Sequence, residues 1–149
     1  FKHHQMEVDG HRADVLFRNG LAEAKVKYFD QTLETIVELS KRHDLYIVTN
    51  GVTETQKRRL NQTPLHKYIK KIFISEETGY QKPNPEFFNY VFNDIGEDER
   101  QHSIIVGDSL TSDILGGINA GIATCWFNFR GFDHNPGIIP DYEINSWKQ

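Results

Sequence analysis

The chain has 149 residues, 38% of them hydrophobic and 12% aromatic, enough apolar mass for one domain with a core and too much for overall disorder. Lys and Arg total 17 against 21 Asp and Glu, a formal charge of -4, which excludes the basic footprint of a nucleic-acid binder. The single cysteine, Cys125, allows no internal disulfide, and no stretch has the length and apolarity of a membrane span or the pattern of a secretion signal. A soluble cytoplasmic protein with neither nucleic acid nor membrane as partner is expected.

In chain order, the opening "FKHHQMEVDG" reads as the end of one element, which predicts that the chain is a fragment of a longer protein. "ADVLFRNGLAEAKVKYF" has a helical pattern but no strand beside it, so residues 1–27 are expected to form a helical appendage. In "DQTLETIVELSKRHD" Asp30 is the expected cap of a helix that buries Leu33, Ile36 and Val37. "LYIVTN" (45–50) is too short for a typical helix and rich in β-branched residues, so it reads as a buried strand; so do "KIFIS" (71–75), "SIIVGD" (103–108) and "IATCWFN" (122–128). "TETQKRRLNQT" and "SDILGGINAG" are the helices expected after the first and third of these runs.

The helix pattern is clearest in "NPEFFNYVFNDIG". Phe88, Val91, Phe92 and Ile95 form one stripe, Asn84 suits the N-cap, Pro85 the first helical position and Gly96 the end. Trp126 and Phe127 continue the fourth strand as core residues, and "NFRGFDHNPGIIPDYEINSW" reads as a loop leading to an edge strand. Strands alternating with helices imply βα units with right-handed crossovers and a parallel sheet covered on both faces.

In open parallel sheets ligands gather at the carboxyl ends of strands, and polar residues cluster there in this sequence. Thr49, Asn50 and Gly51 end the first strand, offering a hydroxyl and backbone N–H groups to an anion, although Asn-Gly is equally common as a plain tight turn. Ser75, Glu76 and Glu77 follow the second, where a helix-entry role competes with a place in a site. In "GYQKPNPEFF" Pro83 and the helix start hold Lys82 on a short, stiff connection, where a fixed ammonium can neutralise phosphate or steady a carboxylate; a plain surface lysine is the alternative. Asp108 emerges after Gly107 as a hard oxygen ligand suited to magnesium. Asp113 either supports that metal, orients Lys82 or simply complements a helix start. Gly116 and Gly117 predict close packing of the next helix against the sheet, and the "KHH" histidines lack the partners of a metal site.

The three signals together, an apolar strand then T-N-G, a K-P-N-P lysine, and an apolar strand then G-D-S-x-x-x-D, resemble the second to fourth motifs of the haloacid dehalogenase-like hydrolases. The resemblance spans about Tyr28 to Asn145 and is closest to the pyrimidine 5'-nucleotidase-like branch. It implies a three-layer Rossmann-like α/β core over residues 28–149 and a remnant of a helical cap over residues 1–27. It also implies magnesium-dependent hydrolysis of a small phosphomonoester, such as a nucleoside monophosphate, through an aspartyl-phosphate. Thr49, Asn50, Gly51 and Lys82 would bind the phosphoryl group, with Thr49 and Lys82 catalytic; Asp108 would ligate magnesium with Asp113 in support.

The family's first motif, a strand followed by D-x-D, has no counterpart in these 149 residues. The resemblance therefore implies a core whose central first strand is missing, between the "LYIVTN" and "SIIVGD" strands, with two strand edges exposed and no activity in this chain alone. A non-catalytic phosphate- or nucleotide-binding domain is the alternative. A dehalogenase attacking carbon fits less well, because that chemistry leaves the Asp108 and Asp113 metal positions without purpose.

Overall fold

The structure, a computed structural model, describes residues 9–148. Its elements are α1 (Gly10–Glu23), α2 (Thr32–Ser40), β1 (Tyr46–Thr49), α3 (Thr53–Asn61), β2 (Lys71–Ile74), α4 (Ser75–Thr78) and α5 (Pro85–Ile95). They continue with β3 (Ile104–Gly107), α6 (Leu115–Ala120), β4 (Ala123–Phe127) and β5 (Tyr142–Ile144). All four apolar runs are strands, and the expected edge strand is β5. The "KHH" histidines lie outside the described residues.

Every strand pairing is parallel, as in the expected α/β fold: Thr49 lies opposite Ile74, Gly107 opposite Trp126, and Phe127 opposite Ile144. The pairings make two ladders, β1–β2 and β3–β4–β5, and none joins β1 to β3 among the described residues. On β3 the alternation is sharp. Ile105 is 6% exposed in the core, while Ile104 and Val106 stand 51% and 45% exposed.

Helix α5 connects the two ladders. Asn84 caps it, its Oδ1 accepting from Glu86 N at 3.3 Å, and Gly96 ends it with φ 115° and a bond from its N–H to Phe92 O. Its buried residues Phe87, Phe88, Val91 and Phe92 form one cluster with Phe73 of β2 and Ile105 of β3. Full burial of each such side chain contributes about 1.5–3 kcal/mol, so this cluster is the main apolar link between the ladders. Phe87, outside the expected stripe, is wholly buried. A second cluster of Ile114, Trp126 and Ile138 packs on the three-stranded ladder.

Gly117 fulfils the packing expected of it: a Cβ there would stand 2.6 Å from Ile105 Cγ2 and 2.7 Å from Thr124 Cγ2. Four local expectations are corrected. α1 ends at Glu23, because Phe29 is drawn against Phe127 and Phe129, at centroid distances of 5.1 and 4.5 Å. Asp30 does not cap α2: Gln31, at φ 64°, holds that position, and the Thr32 hydroxyl donates to Phe29 O at 2.8 Å. Leu33, Ile36 and Val37 are half-buried rather than buried. Finally, "SDILGG" opens as a wide π-type turn over Leu110–Ile114 before α6, with Ile114 N donating five residues back to Ser109 O at 3.1 Å.

Candidate phosphate and metal site

Thr49, at the end of β1, accepts a hydrogen bond on its hydroxyl from Gln56 Nε2 at 3.0 Å. The Gly51 N–H donates to Ser75 Oγ at 2.9 Å, which ties the loop after β1 to the end of β2. Glu76 Oε2 accepts from Thr53 N at 2.8 Å, at the positive start of α3, whereas Glu77 forms a half-exposed ion pair with Lys57 of α3 at 2.5 Å.

Lys82 spans the parting between the ladders. It is 7% exposed, and its Nζ donates to Val48 O on β1 at 2.7 Å and to Asp113 Oδ1 after β3 at 2.6 Å. Asn50 holds its main chain from both sides, Oδ1 accepting from Lys82 N at 2.9 Å and Nδ2 donating to Lys82 O at 2.8 Å. The Lys82–Pro83 peptide bond is cis.

The π-type turn aims Asp113 inward. Its Oδ1 takes the lysine and its Oδ2 accepts from Ser109 N at 3.1 Å, so both oxygens are engaged and the residue is 8% exposed. This requires glycine at 107, because a Cβ there would stand 2.4 Å from Asp113 Cγ. Asp108 differs. Its carbonyl accepts from Trp126 Nε1 at 3.0 Å, while its exposed carboxylate has no hydrogen-bond partner among the described residues.

The structure thus brings Asn50, Lys82 and Asp113 into one hydrogen-bonded cluster, flanked along the chain by Thr49 and Asp108. An ammonium has three protons, and two on Lys82 are committed, so the third is free for an anionic oxygen. Asp108 is a hard oxygen donor of the kind magnesium takes, usually one or two carboxylates completed by water and phosphate oxygens. Among the described residues no three His, Cys, Asp or Glu form a metal-binding group, so the fit is to that sparse magnesium mode and not to a dedicated protein cage. Cys125 is no nucleophile: it is 7% exposed, and burial pushes its thiol pKa up. Gln56 is the residue that sequence reading passed over; its signal is its place one turn into α3, where a side chain reaches back over the preceding loop.

Residues 3–127 match the family model for haloacid dehalogenase-like hydrolases. The chain belongs to this family. YfnB of Bacillus subtilis (strain 168) is 44% identical over 148 residues, 99% of this chain and 63% of YfnB. The pyrimidine 5'-nucleotidase YjjG of Escherichia coli (strain K12) is 44% identical over 100 residues, 67% of this chain and 44% of YjjG. A crystal structure of YfnB bound to magnesium superposes with a TM-score of 0.89 at 45% identity, covering 95% of this chain and 62% of that one. The expected family and its nucleotidase kinship are therefore shown, and this chain spans less than two thirds of the length of these relatives. No helix among the described residues is long and apolar enough to cross a membrane.

Proposed function

We propose that this chain is the phosphate- and magnesium-handling part of a phosphomonoester hydrolase that acts on nucleoside monophosphates through an aspartyl-phosphate. Residues 1–27 are the remnant of its helical cap and residues 28–149 its α/β core. The observation that carries this reading is the bridge made by Lys82 between Val48 O and Asp113, which sets an ammonium beside Thr49 and Asn50 at the carboxyl ends of two strands. The pyrimidine 5'-nucleotidase name of YjjG supports the substrate class, and the magnesium-bound structure of YfnB supports the metal.

In this reading the Thr49 hydroxyl and the main-chain N–H of Asn50 orient the phosphoryl oxygens, while Gly51, its own N–H held by Ser75 Oγ, sets the course of the loop around them. Lys82 offsets their developing charge, and Asp113 keeps the ammonium aimed. Asp108 would hold magnesium, and the metal when bound would neutralise phosphoryl charge; Asp113, its two oxygens engaged by Lys82 and Ser109 N, would support that metal only indirectly, by fixing the lysine beside it. The nucleophilic aspartate belongs to a strand that these 149 residues do not contain, one that would pair with the open backbone edges of β1 and β3. The chain by itself is then inactive, for want of a nucleophile.

The full-length protein is expected to hydrolyse uridine monophosphate and an aryl phosphate with magnesium, to lose that activity with chelator, and to lose it in Asp108→Ala. Activity that survives chelation would remove the metal role of Asp108. The absence of D-x-D from the chain favours one other reading, a non-catalytic phosphate- or nucleotide-binding domain. Magnesium-independent binding of the nucleotide by a full-length protein that never turns it over would establish it.

A further inference from the structure

A recess of about 400 Å³ opens beside the phosphate-binding residues, walled by Gly51, Ser75, Glu76, Tyr80, Gln81 and Asn84. Its volume lies in the range of small-molecule sites, roughly 300–1,000 Å³. Chain continuity joins it to the cluster above. Gly51 follows Asn50 and Gln81 precedes Lys82, so a group esterified to a phosphate at Thr49, Asn50 and Lys82 has the recess as its neighbour.

The lining has a definite chemistry. Tyr80 is 44% exposed, and the Thr78 hydroxyl pins its backbone, accepting from its N–H at 3.2 Å and donating to its carbonyl at 2.9 Å. The ring is thus carried on a fixed turn. The Gln81 amide has no hydrogen-bond partner among the described residues, and Asn84, whose Oδ1 caps α5, keeps its Nδ2 protons free. Glu76 places a negative charge at the wall, which opposes a second anionic group.

We infer that this recess receives the uncharged organic part of the phosphomonoester, a planar hydrogen-bonding ring of the nucleobase kind. Tyr80 is its stacking surface, and the amides of Gln81 and Asn84 are its polar contacts. The inference rests on the phosphomonoester reading for its link to catalysis, but the binding it asserts does not need the nucleophile.

The test is a titration of the isotope-labelled full-length protein with uridine, ribose and inorganic phosphate, each alone, followed by amide chemical shifts. Uridine is expected to move the amides of Gly51, Gly79 and Tyr80 and the side-chain amide of Gln81, and ribose is expected to move none of them. Tyr80→Ala is expected to weaken uridine binding by at least about five-fold, the lower end of what base–aromatic stacking contributes, and Tyr80→Phe to retain it. Tyr80 is a half-exposed loop residue, and unchanged shifts in α5 and β4 confirm that each variant is folded. Uridine that leaves these amides unmoved, or that binds Tyr80→Ala as it binds the parent chain, overturns the inference. Phosphate that fails to move Thr49, Asn50 and Lys82 while uridine still binds overturns the phosphate reading and leaves the recess assignment standing.

Discussion

Lys82 and Asp113 offer the sharpest test of the structure, because the pair is buried and each partner has few other contacts with which to compensate. Lys82→Met leaves Asp113 with only the Ser109 N–H, and Asp113→Ala leaves the ammonium with only Val48 O. Removing one member of a buried pair strands the other charge and costs about 3–5 kcal/mol. Asp113→Ala lies toward the upper end, since it also deprives Ser109 N of its acceptor. Against a total stability of about 5–15 kcal/mol, either single change consumes a large share and lowers the melting temperature by roughly 6–20 °C.

The double variant removes both charges together and avoids the stranded one. Its cost is expected to fall short of the sum of the singles by about 0.5–3 kcal/mol. Urea unfolding followed by circular dichroism measures all four corners of the cycle, with an unchanged m-value showing that the same folded and unfolded states are compared. Additive single effects, or a single cost below about 1 kcal/mol, would refute the claim that Lys82 and Asp113 sustain one another across the parting between the ladders.

Gly107→Ala would push a methyl group into Asp113, which cannot withdraw without releasing Lys82 or Ser109 N; a loss of about 1–3 kcal/mol in urea unfolding is expected, and an unchanged midpoint would contradict the close approach. Asp141 supplies a pH dependence: the Thr124 hydroxyl, and next the Thr124 N–H, both at 2.8 Å, hold its carboxyl below the usual range. Its stabilising contribution is present above the ordinary carboxyl range near pH 4 and is lost as pH falls through the lower folded value, so Thr124→Val should flatten the acid decline of the urea midpoint; identical pH profiles would refute it.

Much of the fold was legible because its signals are local. Four compact β-branched runs became four strands, since short apolar segments between turn residues have little else to form. α5 could be read to within a residue at each end because Asn84, Pro85 and Gly96 each satisfy a backbone requirement on the spot. The misreadings fall where a distant contact wins. Phe29 leaves the first helical pattern for Phe127 and Phe129, and the Asp113 side chain favours a wide turn that an ordinary helix start would not provide. The site was legible as a set of positions and not as a set of bonds. Nothing near Asn50 in the chain foretells that its amide clasps the backbone of Lys82, 32 residues away.

By itself, the sequence determined the α/β class, the strand and helix order, the polar residues at the strand ends and the family resemblance, all of which rest on periodicity and on short motifs. Only the tertiary structure decided that Asp113 spends both oxygens within the protein while Asp108 keeps its carboxylate open. It alone decided that two ladders meet through Lys82 and α5, and that Tyr80 and Gln81 line a recess beside them. The physical reason is the same in each case. A carboxylate's role is set by which donors the fold brings within about 3 Å, and those donors come from segments that the chain separates and packing reunites.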